Sequence, residues 1–341
     1  MKKLSFLFVV TTLFTSAIFA QAPQNKSAQE TAKAYVRDGD YNNAIIVLNK
    51  ALQTQPDNLE LQKDLAFAYY LKKDFASAVQ TAKPLADRAD ADVPTFQVIG
   101  LIYKALEETK EAEKLYRIAL KKFPSSGVLY NEYGEMLWAK KNFGDAVKQW
   151  EKGIQEDPNN SGNYYNAAKY YYFSPDKTWG LIYGEMFVNI ESFSARTAEI
   201  KTMLLDGYKK VFSGNDILKN QDTKNPFSSA FLSLMQKNNS AVAGGINPET
   251  LTTLRARFTL DWFEKYATKF PHRLFDHHHQ MIQLGMFDAY NQWLFGATAN
   301  PTAYQKWVTD HSSANDEFVR LQKSRVFKIP AGQYYQTVSR K

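Results

Sequence analysis

The sequence predicts an all-α fold, namely a solenoid of stacked helix pairs followed by an irregular C-terminal helical region. An alanine returns every 34 residues, at Ala44, Ala78, Ala112 and Ala146. Prolines keep the same step, at Pro56, Pro124 and Pro158. A repeat of this length is typical of a solenoid, whose units bury their apolar faces only by stacking. The second half lacks the repeat, but its apolar residues recur at helical spacing.

Four units of this period occupy residues 25–58, 59–92, 93–126 and 127–160. Each is predicted to be two antiparallel helices joined by a short polar turn. Small residues let the two backbones approach, and proline ends the second helix because it lacks an N–H and clashes with the preceding turn. In the second unit Pro84 lies inside the second helix, which we expect it to kink or shorten.

The fourth unit shows the pattern most clearly, with Tyr130, Tyr133, Gly134 and Leu137 on its first helix and Ala146 and Trp150 on its second. Residues 25–160 resemble the tetratricopeptide repeat. The resemblance implies a right-handed superhelix of helix pairs. Residues 161–192 are interpreted as a degenerate fifth repeat or cap, because Gly180 and Gly184 stand where an alanine and an aromatic residue are expected.

The region 193–328 contains no repeat and no catalytic motif. Its helices are predicted at about 195–212, 226–237, 247–270, 273–296 and 301–326. Residues 329–341 are predicted to be an extended basic tail.

Residues 1–20 have the features of a signal peptide. Lys2 and Lys3 precede an apolar run that is short for a membrane helix, and small residues allow cleavage after Ala20. The alternative is an uncleaved anchor helix. The chain has no cysteine, which excludes disulfides and the acylation of a lipoprotein. We therefore expect an exported, soluble, periplasmic or secreted bacterial protein without a membrane anchor.

The basic balance of the chain does not indicate nucleic-acid binding. The formal net charge is +7. Residues 21–175 nevertheless carry as many acidic as basic side chains, and no acid follows Glu317. The excess is therefore concentrated at the C-terminus rather than spread as a stripe across a fold, as a nucleic-acid footprint would be.

The resemblance implies a partner-binding concave face on the first helix of each repeat. Mapped by period, the candidate residues are Lys33, Arg37, Lys63, Phe67, Tyr70, Lys104, Asn131, Trp138, Tyr165, Lys169 and Tyr172. Aromatic residues mixed with lysines would suit a peptide that carries an acidic group. The alternative is that these aromatics pack against the C-terminal region. Gln29 and Lys33 do not reproduce the carboxylate clamp of chaperone-binding relatives.

Two other clusters of side chains are candidate sites. His272, Asp276 and His279 would share one face of a helix and are a weak candidate metal site, whereas hydrogen bonding within a polar turn is the simpler interpretation. The tyrosines of 164–172 could form a stacking platform, but consecutive helical residues point in different directions, which favours packing.

The sequence shows no nucleophile elbow, phosphate loop or dinucleotide fingerprint, and no cofactor is predicted. The function predicted is a non-catalytic protein- or peptide-binding scaffold or assembly factor of the cell envelope. Two alternatives are open: a ligand-binding or enzymatic C-terminal region positioned by the repeats, and a glycan-capture protein resembling the SusD-like family. The lack of cysteine argues against the second alternative. The oligomeric state and the identity of the partner are not determined by the sequence.

Overall fold

The computed structural model describes residues 27–214 and 216–336, so the predicted signal peptide and the end of the predicted tail lie outside the described residues. The described residues divide into two compact units, unit 1 up to Thr81 and unit 2 from Ala82 onward. Within the two described ranges every regular element is helical, and none of the helices is long and apolar enough to cross a membrane.

Unit 1 contains the first helices of the chain, whose bounds are α1 (Ala28–Arg37), α2 (Tyr41–Thr54), α3 (Leu59–Leu71) and α4 (Phe75–Ala82). Its core is formed where these helices face one another, by Ala32, Ala44, Leu48, Leu61 and Leu65. The period alanine Ala44 is fully buried, which confirms that the small residue lies at the helix contact.

Unit 2 begins with three helix pairs. They are α5 (Val93–Ala105) with α6 (Thr109–Lys122), α7 (Gly127–Ala139) with α8 (Phe143–Glu156), and α9 (Ser161–Phe173) with α10 (Thr178–Ile190). The remaining helices are α11 (Ala195–Val211), α12 (Pro226–Lys237), α13 (Pro248–Lys265), α14 (Arg273–Gln283), α15 (Phe287–Asn291), α16 (Ala297–Ala299), α17 (Pro301–Asp310) and α18 (Ser312–Ser324). A π-helical turn, Gln292–Gly296, joins α15 to α16.

The residues that cap the first helices follow the 34-residue period further along the chain than the alanines do. The residues that cap α3, α5, α7, α9 and α11 are Asn58, Asp92, Ser126, Asn160 and Ser194. Each side chain accepts a hydrogen bond from the backbone N–H three residues later, which satisfies a donor that the helix leaves free. Helix α11 therefore starts in register with the first helices of the repeats.

The turns inside the pairs also recur, until a proline interrupts them. The backbone has positive φ at Gly39, Lys73, Glu107 and Lys141, one period apart. The next position in the series is Pro175, whose ring fixes φ near −65° and excludes this conformation. The turn between α9 and α10 is consequently built differently, around Ser174 and Asp176.

Pro84 shortens the second helix of its repeat, as predicted. Helix α4 ends at Ala82, and the chain continues as a 3₁₀ helix, Lys83–Asp87, with Pro84 in its first turn. Proline is tolerated there because the first N–H groups of a helix have no partner within it.

Gly134 shows why a small residue is needed on a first helix. A Cβ atom at this position would lie 2.2 Å from the indole Nε1 of Trp150, which is 2% exposed. The same indole nitrogen donates a hydrogen bond of 3.2 Å to the carbonyl of Asn131. The glycine thus makes room for an aromatic residue that joins the two helices of the repeat.

We expect Gly134→Ala to destabilise unit 2 by about 1–3 kcal/mol, because the added methyl group overpacks a filled contact. Gly144→Ala is the matched control, since a Cβ atom at Gly144 would meet nothing within 4 Å. Urea unfolding followed by tryptophan fluorescence measures both variants. Equal stability of the two variants would contradict the assignment.

Helix α10 is buried on almost all sides and lies against α9, α11 and α14. Its two glycines stand where neighbouring helices approach closely. A Cβ atom at Gly180 would lie 3.2 Å from the backbone of Tyr172, and one at Gly184 would lie 3.0 Å from Leu204. At these two positions the alanine and the aromatic residue of the signature are replaced by glycines that face neighbouring helices.

The helices after α11 surround an aromatic core, in which the ring of Phe227 packs against those of Trp262, Phe275 and Tyr335. The single helix predicted over 273–296 is wrong, because the chain turns at Gly285, which has a φ of +68°. The segment after α18 is predominantly not helical, and it packs against the rest of unit 2. The backbone N–H of Ile329 donates to Asn159 (2.8 Å), and Tyr335 is buried in the aromatic core.

Candidate functional site

The first helices of successive pairs in unit 2 lie side by side, with α5 against α7, α7 against α9, and α9 against α11. Their solvent-facing side chains form one strip, which we call the first-helix surface. Its members are Gln97, Leu101, Lys104, Asn131, Glu132, Glu135, Trp138, Tyr165, Asn166, Lys169, Tyr172, Glu199 and Asp206. Most of them are half-buried, and side-chain hydrogen bonds join each helix to the next.

Between α5 and α7 the links are two carboxylates. The amide of Gln97 donates to Glu132 (2.7 Å), and the ammonium group of Lys104 lies 3.4 Å from Glu135. A cavity of about 150 Å³ lies between these side chains. Burial raises the pKa of Glu132 above its usual value, even though Gln97 and Tyr116 both donate to its carboxylate.

Between α7 and α9 the links are amides. Asn166 donates to the side-chain oxygen of Asn131 (2.8 Å), and Asn131 donates in turn to Glu135 (3.1 Å). Such a network fixes the side chains in one arrangement, because each donor and acceptor satisfies another.

Between α9 and α11 the links are tyrosines and lysines that meet carboxylates. The hydroxyl of Tyr165 donates to Glu199 (2.5 Å), whose other oxygen lies 2.8 Å from the ammonium group of Lys169. The hydroxyl of Tyr172 donates to Asp206 (2.7 Å). Burial raises the pKa of Glu199, but the hydrogen bonds from Lys169 and Tyr165 outweigh it, so the pKa lies below its usual value.

Tyr165 and Tyr172 therefore contact α11, which belongs to the predicted C-terminal region. These two aromatic residues thus pack against the C-terminal region, which is the arrangement given above as the alternative to partner binding. Trp138 instead packs within its own repeat, with its ring 4.5 Å from that of Phe143 and 5.7 Å from that of Trp150.

The candidate residues of unit 1 lie on α1 and α3. Lys33 and Arg37 are exposed, and Lys33 is 3.8 Å from Asp64. Lys63 is buried and pairs with Glu60 at 2.5 Å. Phe67 and Tyr70 stack at a ring distance of 6.0 Å and are half-buried.

The histidine-rich segment does not assemble the suggested metal ligands. His272 is buried against the rings of Phe227 and Phe275, whereas the ring of His279 stacks on Phe263 at 4.0 Å. Asp276 is exposed. Within the part of the chain that the structure describes, no group of three or more His, Cys, Asp or Glu side chains is placed to hold a metal ion.

Charged side chains do converge elsewhere in unit 2, in the interior between α10, α13 and α14. Glu185 accepts hydrogen bonds from Arg255, from His278 (2.7 Å) and from the hydroxyl of Tyr290 (2.7 Å). Burial raises the pKa of Glu185, but Arg255 and His278 outweigh it and lower the pKa to about 2. The adjoining cavity measures only about 10 Å³, which leaves no room for a substrate.

Sequence reasoning missed Glu199 and Asp206, because the repeats were taken to end before α11. Ser194 was the available signal, since it stands one period after the cap Asn160 and two periods after the cap Ser126.

Comparison with known proteins identifies the repeats. Two family models described as tetratricopeptide repeat match residues 35–97 and 98–161. No curated protein matches the chain. Among solved structures, a crystal structure of MamA has 17% identity and a TM-score of 0.41, covering 49% of this chain and 96% of that chain. A structure of MamA AMB-1 has 17% identity and a TM-score of 0.37, covering 50% of this chain and 94% of that chain.

TM-scores of this size are too low to establish a shared overall arrangement. The family models match the region in which the period, the caps and the small-residue contacts recur. Tetratricopeptide repeats generally mediate protein–protein interactions and are typically non-catalytic. Residues 35–161 of this chain are therefore a tetratricopeptide-repeat region.

Proposed function

We propose that this chain is a non-catalytic scaffold of the bacterial cell envelope that binds a segment of a partner protein on the first-helix surface of unit 2. One observation carries the proposal. Across four adjacent helices, half-buried polar and aromatic side chains are held in place by bonds between neighbouring helices. A surface that is ordered before binding loses little conformational entropy when a partner docks.

The chemistry of the surface supports a partner with polar main-chain groups and some apolar side chains. Asn131, Asn166 and Gln97 offer amide donors and acceptors, and Leu101 and Trp138 offer apolar area. The sequence predicted that lysines on this surface attract acidic groups of the partner. In the structure, however, Lys104 and Lys169 each lie close to a carboxylate of the next helix, which offsets their positive charge. Attraction of an acidic peptide is therefore not part of the proposal.

The envelope location rests on the sequence of residues 1–20, with Lys2 and Lys3 before an apolar run and Ala20 as the cleavage position. Intact-mass measurement of the chain from fractionated cells tests this part. The expected result is a periplasmic species that begins after Ala20, and a full-length species in the membrane or cytoplasmic fraction would contradict it.

Site-specific photocrosslinking tests the binding surface. A photoreactive amino acid is placed at Leu101 or Tyr165 on the first-helix surface, or at Lys114, which is exposed on α6. We expect the same discrete partner to crosslink from the first two positions and not from Lys114. Crosslinks of equal yield from Lys114, or none from Leu101 and Tyr165, would contradict the proposal.

A further inference from the structure

The cavity between α5 and α7 has an apolar floor and a charged rim. Gly100, Leu101, Ala112 and Met136 form its apolar part. Its volume of about 150 Å³ is well above the roughly 10–15 Å³ that one water molecule needs, so it is large enough to admit a side chain. It opens among the residues of the first-helix surface, so a segment bound there could place one side chain in it.

The rim of this cavity has more negative than positive charge. Glu132 and Glu135 lie one turn apart on α7, and Lys104 is the single cation among the lining residues. Lys104 is 69% exposed and reaches Glu135 at 3.4 Å. The two donors to Glu132, Gln97 and Tyr116, are both neutral.

The burial of Glu132 makes this imbalance costly. Removal of a carboxylate from water is disfavoured, and burial raises the pKa of Glu132 although Lys104 on the rim attracts its charge. At the other end of the surface the balance is different. Glu199 pairs with Lys169 at 2.8 Å, and Asp206 pairs with Lys210 at 2.6 Å. The excess of negative over positive charge is thus localised at the cavity.

We propose that this cavity is a subsite for one basic side chain, lysine or arginine, of the partner segment. The inference rests on the proposed function, because the segment must lie on the first-helix surface. The cationic head would meet Glu132 and Glu135 in charge-assisted hydrogen bonds. The methylene stem would lie on Leu101 and Met136, as long basic side chains do when they cover apolar surface.

A random dodecapeptide library displayed on phage and selected on the full chain provides the probe. Selected peptides are synthesised with each basic residue in turn replaced by an uncharged analogue, citrulline for arginine or norleucine for lysine. Binding is measured by fluorescence polarisation to the wild type and to Glu132→Gln, Glu135→Gln and Tyr165→Ala. Glu317→Gln, at an exposed position on α18, is the matched control. Thermal melting verifies that every variant is folded.

We expect one basic residue to be required, its replacement to weaken binding about tenfold or more, and Glu132→Gln to cause a similar loss, as for removal of a charged hydrogen bond. Peptides that need Tyr165 but no basic residue, or that bind Glu132→Gln normally, would overturn the subsite and leave the proposed function standing. Failure to select any peptide, or selection only of peptides that bind both Glu132→Gln and Tyr165→Ala normally, would count against the proposed function itself and, with it, the subsite.

Discussion

Replacing Arg255 with methionine is expected to destabilise unit 2 by about 3–5 kcal/mol, the range observed when one partner of a buried ion pair is removed. Arg255 is 1% exposed, and its guanidinium donates to Glu185 and to Asn291. Without it, the carboxylate of Glu185, 2% exposed, remains in the interior with no guanidinium to offset its desolvation. Urea unfolding followed by tryptophan fluorescence reports on unit 2, because all six tryptophans lie in it.

The double variant Glu185→Gln with Arg255→Met separates charge from packing. It removes both charges and keeps much of the volume, so we expect it to be more stable than Arg255→Met alone. If the double variant lowers the free energy of unfolding by as much as the two single variants added together, the pair is not coupled and the interpretation is wrong.

Lowering the pH from 7 to 4 is expected to destabilise unit 2 steeply. His272, His277 and His278 are buried, and burial lowers the pKa of each, that of His272 to about 3. Below the unfolded value near 6.5 the unfolded chain binds a proton that the folded chain does not. The stabilising contribution of a buried neutral histidine is therefore fully present above about pH 6.5, and it falls by about 1.4 kcal/mol per pH unit until the pH reaches the folded pKa of that histidine.

Glu185 causes unit 2 to lose stability at lower pH as well. Its folded pKa of about 2 is below the reference value of 4.5, so its stabilising contribution is present above about pH 4.5 and is lost as the pH falls towards 2. The acid transition of unit 2 is therefore expected to continue below the range in which the histidines alone would act.

The variant His272→Phe tests the histidine contribution. It keeps a ring beside Phe227 and Phe275 and removes one titrating group, so the pH dependence of unfolding free energy should become shallower by about one proton between pH 6.5 and 3. Phe231→Leu changes a buried ring without changing any titrating group and should shift the curve without changing its slope. An unchanged slope for His272→Phe would contradict the prediction.

The repeat region was predictable because its determinants are local and periodic. Ala44 and Gly134 lie at contacts between the two helices of a repeat, and Pro84 lies where the second helix of its repeat has ended. The predicted end of the repeats lay before α11, because it was based on the periodic alanines and aromatic residues. At Gly180 and Gly184 these are replaced by glycines, while the helix cap at Ser194 keeps the period.

The candidate site was predicted only in part, because spacing gives the face on which a side chain lies and not its partner. Lys104 and Lys169 stand on the predicted helices, but each lies near a carboxylate one helix away, at Glu135 and Glu199. Which lysine is paired depends on the distance between helices, and a linear pattern does not contain that distance.

By itself the sequence determined that the repeat region consists of helix pairs and where small residues and prolines lie within them. Caps, turns and small-residue contacts are set within a few residues of chain, so the period alone specifies them. Only the tertiary structure decided which charges are compensated. Glu185 meets Arg255 across 70 residues of chain, whereas Glu132, three residues from the paired Glu135, has neutral donors only. Charge compensation depends on three-dimensional distance and on exclusion of water, and both arise only when the helices pack.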